Sequence, residues 1–310
     1  MPVRKALLFA FEFKHGKPIE KTRDDAICRA RESLRFDCAA LRSRKSADGR
    51  GSFMTRTSFK QPGNGIITLT SRALRKRHSR LNAGRGSTWW APSAIGWWIG
   101  ILFAVGATCF ALGALPGYLD VVGGEADAIT FFVGSLWFTS AAFLQYLEVV
   151  NVDQSLPGAD YRPRFRLFTL ELRRIDWWST LVQLVGTVFF NVTTFHALSV
   201  DLSVHQLNRL VWAPDAFGSV CFLVASGLAW FEVCRAFACW RLRSLPWWIT
   251  ALNLVGSAAF GISAVASFVV PTTGLPRNIV LVNLGTFVGG LCFLFGALLL
   301  LPERTMSNSD

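Results

Sequence analysis

Apolar residues in this chain gather in long runs rather than alternating finely with polar ones. Up to about residue 90 the chain is polar, broken by Gly49, Gly51, Gly63 and Gly65, with one short apolar run from Ala6 to Phe11. Beyond it come six long apolar stretches, at 97–118, 128–150, 177–200, 215–234, 247–270 and 279–301. Each is about 20 residues or more, the helix length needed to cross a hydrocarbon core of about 30 Å. The pattern predicts an all-α membrane protein with six transmembrane helices.

The stretches repeat. Trp97-Trp98, Gly106 and Phe110 recur at the same spacing as Trp177-Trp178, Gly186 and Phe190, then as Trp247-Trp248, Gly256 and Phe260. The alternate stretches share a second pattern: Gly134, Phe138 and Glu148; Gly218, Phe222 and Glu232; Gly289, Phe293 and Glu303. The unit is therefore a helical hairpin, repeated at 94–150, 174–235 and 244–303, with a short tail at 304–310. Internal repetition of this kind sets the architecture of a whole chain. Three like hairpins predict a bundle with pseudo-threefold symmetry about the membrane normal. Glycines at matched positions predict close helix contacts, reinforced by small-residue pairs at Gly96/Gly100, Ser257/Gly261 and Gly285/Gly289.

Charge orients the helices. The net charge is +12, but residues 1–90 carry 21 Lys/Arg against 7 Asp/Glu, while the rest carries 11 against 13. The basicity thus belongs to a pre-membrane tail, which argues for orientation and anionic lipid headgroups rather than nucleic acid as its partner. With that tail inside, inner segments hold 30 Lys/Arg and outer loops only Arg209 and Arg277. The bias predicts that both termini face the cytoplasm, and a plasma-membrane location is expected. Each Trp pair then opens a span at the cytoplasmic headgroup level, where an indole ring is half buried and its N–H is wet. These six indoles are expected to act as interface anchors.

The tail itself has too few apolar residues to bury a core, so 1–90 is expected to be largely disordered, with a helical patch at 24–41. Its polybasic run, Arg72, Arg75, Lys76, Arg77, Arg80 and Arg85, sits just before the membrane. The run 6–11 is too short for a signal-peptide core. The seven cysteines make no metal-spaced cluster or disulfide framework, and Cys234 and Cys239 are expected to be small apolar fillers at a helix end.

Three two-span repeats also describe mitochondrial carriers, but their Pro-x-acid-x-x-base signature follows none of Pro116, Pro214 and Pro271. The Trp-Trp…Gly…Phe span followed by a Gly-rich span resembles instead the YrhK-like family of small bacterial membrane proteins. The third hairpin is nearest, from Trp247-Trp248 through Asn253, Gly256 and Phe260 to Asn283, Gly285 and Glu303. The first departs most, with Phe103 where the others have Gln183 and Asn253. The resemblance covers the three hairpins and not residues 1–90. It implies a membrane location and no established activity, so it assigns no site residues.

Glu148, Glu232 and Glu303 are the sharpest candidates, because an ionisable side chain in a span is costly and marks function by default. About 21 Å of helix separates each from its repeat glycine, which puts it at the cytoplasmic boundary. There it either pairs with nearby arginines such as Arg235 and Arg304 or joins a carboxylate ring that favours cations. Gln183 and Asn253, at matching positions, are expected to hydrogen-bond between helices or to line a path. Asp215, after Pro214, reads as a helix N-cap. No nucleophile–base pair, phosphate loop, cofactor fingerprint or metal-ligand spacing occurs, so an enzyme is not expected. Two classes remain: a membrane scaffold or interaction protein, and a transporter or channel for a small solute or cation. Carboxylates converging beneath a polar cavity would favour transport. Separate arginine neighbours around a centre packed with Phe and Leu would favour the scaffold.

Overall fold

A computed structural model describes residues 46–48, 56–60, 66–72, 75, 89–152, 165–199 and 201–303. By contact the chain divides into two units, Met1–Arg44 with Lys60–Ile66 and Lys45–Phe59 with Ile67–Asp310. All the long helices belong to the second. The helical patch expected at 24–41 lies outside the described residues, as do Lys76, Arg77, Arg80, Arg85 and Arg304.

Two findings alter the picture of the tail. It contributes three short strands, β1 (Ser46–Asp48), β2 (Arg56–Lys60) and β3 (Ile66–Thr70), in the order β1-β2-β3. β1 and β2 pair antiparallel through Ser46↔Ser58, Ala47↔Thr57 and Asp48↔Arg56. Beyond β3, Ser71, Arg72 and Arg75 are helical, and Ser71 is buried. The tail therefore carries short strands and a helical stretch at positions where the sequence suggested no regular element.

The helices are α1 (Ile95–Gly113), the short α2 (Tyr118–Val122), α3 (Gly124–Val150), α4 (Ile175–His196), α5 (Val204–Cys234), α6 (Leu245–Ala266) and α7 (Ile279–Glu303). Five of them, α1, α3, α5, α6 and α7, are long and apolar enough to cross a membrane, which fits a multi-pass membrane protein. α4 is of similar length but more polar. Its hydroxyls and amide engage neighbouring helices: Ser135 and Thr194 are 2.9 Å apart, Thr139 donates to Asn191 Oδ1 at 3.2 Å, and Ser179 donates to the Ala225 carbonyl at 2.9 Å. Polar groups bonded inside the bundle escape the desolvation cost that an exposed polar face would carry in lipid.

The six long helices pack in a closed ring, each against the next in sequence, with α7 returning to α1. The repeat residues do equivalent work in each hairpin. A Cβ built on Gly106 would lie 2.8 Å from the Gly134 carbonyl, on Gly186 2.9 Å from Cys221 Cβ, and on Gly256 3.1 Å from Cys292 Cβ. A side chain at Gly106 or Gly186 would force the helices apart, and one at Gly256 would press tightly on its neighbours, so these glycines permit the close approach of each helix pair.

The Trp pairs behave identically as well. Trp97, Trp177 and Trp247 are buried and donate their indole N–H to the carbonyls of Trp89, Thr169 and Cys239 at 2.8 Å. Trp98, Trp178 and Trp248 donate to Pro92, Leu172 and Leu242 at 2.9–3.0 Å. In every pair the rings meet edge to face, 4.9–5.0 Å apart. The indole N–H groups are thus not wet. They pin the strap that precedes each helix, eight and six residues upstream, and only the second ring of each pair is left open enough to meet an interface.

Two further expectations are corrected. Asp215 is not an N-cap: the helix begins well before it, with a capping box in which Ser203 and Gln206 bond reciprocally. It then passes through a π-helical segment, Leu207–Trp212, in which the Ala213 N–H reaches the Asn208 carbonyl. Pro214, which lacks an N–H and crowds the turn before it, accounts for that local widening. Cys234 and Cys239 are not simple fillers but are joined as a disulfide.

Candidate functional site

Six phenylalanines, one from each repeat position, meet in the middle of the ring. Phe138, Phe222 and Phe293 form a triangle with centroids 5.5–5.8 Å apart. Phe110, Phe190 and Phe260 lie against them, each touching its hairpin partner at 5.1–5.9 Å. Edge-to-face and tilted contacts at these distances add to the burial of the rings. The result is a two-layered aromatic barrier made of side chains alone, with a cavity on either side.

The first cavity lies towards the end of the bundle that carries the Trp pairs. It holds about 70 Å³, room for a few waters, and is lined by Gln145, Asp176, Gln183, Asn253 and Glu232 together with Arg72 and Arg75. The arginines come from the polybasic run and enter between the helix ends. Three residues apart in helical conformation, they share one face.

Arg72 grips Glu303 with two bonds, Nε to Oε1 at 2.7 Å and Nη2 to Oε2 at 3.1 Å. Arg75 donates to Asp176 Oδ2 at 2.6 Å and reaches Glu232 Oε2 at 3.4 Å. Asp176 is also held by Arg174, Nε to Oδ1 at 3.0 Å and Nη2 to Oδ2 at 2.6 Å. Asp176, Glu232 and Glu303 are each at most 5% exposed. Glu148 acts electrostatically on both tail guanidiniums.

Burial lowers the Arg72 pKa to about 10, partly offset by Glu232. Burial opposes the Arg75 charge as well, but Glu232, Asp176 and Glu148 outweigh it and raise that pKa above the ordinary value. Both guanidiniums therefore stay charged near neutral pH and neutralise a cluster of carboxylates that could not otherwise be buried together.

Of the residues singled out from the sequence, Glu232, Gln183 and Asn253 line this cavity, and Glu148 and Glu303 join it through Arg72. Gln183 and Asn253 do not link helices through their side-chain amides: no side-chain hydrogen bond forms from either among the described residues. Their polar groups face the cavity instead. Arg72, Arg75 and Asp176 belong to the site although sequence reasoning does not select them. The arginines read as part of a lipid-facing run. Asp176, immediately before the second Trp pair, is the one acidic residue in the first turn of α1, α4 or α6, and that is a legible signal. His196 is bonded to its own helix at the Val192 carbonyl and takes no part.

The second cavity lies beyond the aromatic barrier, holds about 320 Å³ and is mostly apolar. Phe110, Phe131, Phe138, Phe190, Phe222 and Phe260 form much of its wall, and Asp215 is its one ionisable lining residue. Among the described residues no group of His, Cys, Asp or Glu could hold a metal ion. Compared with protein-family models, with curated proteins and with solved structures, the chain matches none of them.

Proposed function

We propose that this chain is a six-span integral membrane protein, built from three YrhK-like hairpins about a pseudo-threefold axis, that carries a small cationic solute across the cell membrane. Both termini face the cytoplasm in this reading, so the Trp-pair end and its carboxylates lie at the inner mouth. The observation that carries it is the pair of cavities, one polar and acidic, one apolar, separated by a barrier of side chains alone. A barrier between two cavities is what alternating access around a fixed site requires, with one part of the bundle rocking against the rest to open it.

Glu148, Glu232, Glu303 and Asp176 supply the negative field that draws a cation to the inner mouth. Gln183 and Asn253 supply neutral ligands below it. Arg72 and Arg75 occupy the cation positions themselves, so the tail latches the mouth until a competing cation or a partner of the tail releases it.

A scaffold function is the second reading. The packed aromatic centre and the two-point grip of Arg72 on Glu303 favour it, since both suit a rigid bundle with a docked tail. Flux separates the two. Protein reconstituted into liposomes is assayed with radiolabelled methylammonium and guanidinium. Transport predicts uptake above protein-free vesicles, raised per folded molecule in R72Q/R75Q, whose stranded carboxylates lower its stability, and lowered in E148Q/E232Q/E303Q. Uptake at the level of empty vesicles in all three proteins would leave the scaffold.

A further inference from the structure

The apolar cavity contains a carboxylate that no cation pairs among the described residues. Ser267 lines the cavity beside Asp215 and acts on its carboxylate, while its hydroxyl donates to the Ala264 carbonyl at 3.0 Å. None of the residues lining the cavity is basic. Arg209, on the same helix, is exposed and does not reach the cavity wall. Arg277, on the loop after α6, is engaged elsewhere, over the ring of Phe268 at 5.5 Å. A carboxylate in apolar surroundings is costly unless a counter-charge is supplied.

The backbone is shaped to place it there. Leu207, Val211, Trp212 and Asp215 all face the cavity from this one helix, whose π-helical segment runs up to Trp212 just ahead of Pro214. Segments of this kind recur at functional sites. The segment is also held from outside: Thr193 donates to the Val211 carbonyl at 3.1 Å, and Trp212 donates to the Ala264 carbonyl at 2.9 Å. Asp215 is thereby presented by a fixed wall rather than by a loop.

Six Phe rings and Trp212 share the remaining walls with Ser and Thr hydroxyls and aliphatic side chains. Faces of Phe rings attract a cation through their quadrupole, the more so when it is desolvated. An aromatic chamber of about 320 Å³ with one carboxylate combines the two features that recognise an organic cation: a shell that accepts its alkyl or aryl groups and a single opposite charge. A metal ion would find one carboxylate and otherwise only neutral hydroxyls, and a neutral lipid tail would leave Asp215 without a counter-charge.

We propose that this cavity is a binding site for a monovalent organic cation, an amine or quaternary ammonium carrying apolar groups, with Asp215 as its counter-ion and the phenylalanine rings as its cage. The site goes beyond the transport reading and does not need it, because binding is scored without flux. A failed flux assay leaves the site standing, and a failed binding assay leaves the inner mouth untouched.

The test measures binding of tritiated benzyltrimethylammonium to detergent-purified full-length protein, competed by unlabelled neopentylbenzene, its uncharged isostere. Saturable binding is expected, with the isostere at least about tenfold weaker. D215E should retain the preference and D215N should lose it, binding cation and isostere alike. A128F, which fills the cavity away from the carboxylate, should abolish binding of both. An isostere that competes as well as the cation in the wild-type protein would overturn the proposal by showing a pocket for apolar molecules only. Equal cation affinity in D215N and wild type would overturn it too. The first comparison uses the wild-type protein alone, so a variant that fails to fold leaves the test intact.

Discussion

Removing one guanidinium from the carboxylate cluster should cost far more than removing the guanidinium and its partner together. Arg75 is 13% exposed and lies 2.6 Å from Asp176 and 3.4 Å from Glu232, which are 1% and 4% exposed. In R75M, Asp176 keeps both bonds from Arg174, but Glu232 loses its one ion pair among the described residues. Stranding one charge of a buried pair costs about 3–5 kcal/mol. For a folded unit of this size each kcal/mol is worth roughly 2–4 °C, so the thermal transition should fall by roughly 6–20 °C. In R75M/E232Q the stranded charge is gone, and most of the loss should return. The assay is intrinsic tryptophan fluorescence of detergent-purified protein, heated at one fixed rate because membrane-protein unfolding is often irreversible. A coupling of about 2 kcal/mol between the substitutions is the signature, and strict additivity, within about 0.5 kcal/mol, would refute the direct pairing of Arg75 with Glu232.

Two further outcomes follow from packing and orientation. G106A should destabilise the bundle by about 1–3 kcal/mol, because its Cβ would sit 2.8 Å from the Gly134 carbonyl and the helices must part. G227A, with nothing within 4 Å of its Cβ, should be neutral or gain up to about 1 kcal/mol, and equal melting temperatures for the two variants would contradict the close-contact account. Cys234 and Cys239 lie at the end assigned to the cytoplasm, where disulfides are rare. The proposed orientation therefore predicts that this disulfide is reduced in intact cells, so that the pair reacts with a permeant maleimide. Quantitative oxidation in situ would reverse the assigned orientation.

How much is legible in the chain follows the range of the forces involved. Helix positions come from runs of apolar residues, and the hairpin unit from spacing, because both are written locally. The repeated Trp, Gly and Phe positions stand out in the sequence, and in the structure they make matching contacts in each hairpin. What the indoles do is not written there. A preference for the headgroup level is a property of the free ring, whereas Trp97, Trp177 and Trp247 each find a backbone carbonyl eight residues back. Asp215 escapes a local reading for a related reason. Pro214 ordinarily opens a helix, but here a π-helical turn absorbs it inside a longer one.

The chain by itself determined its class and the residues worth watching, since burial in a bilayer demands long apolar runs, and five helices are long and apolar enough to cross one. Tertiary structure alone decided what those residues meet. It brought Arg72 and Arg75 more than 100 residues along the chain to Asp176, Glu232 and Glu303, and it stacked six phenylalanines between two cavities. Charge is counted along a sequence, but pairing depends on distance in space. A basic run that reads as a lipid anchor places two of its arginines on buried carboxylates instead.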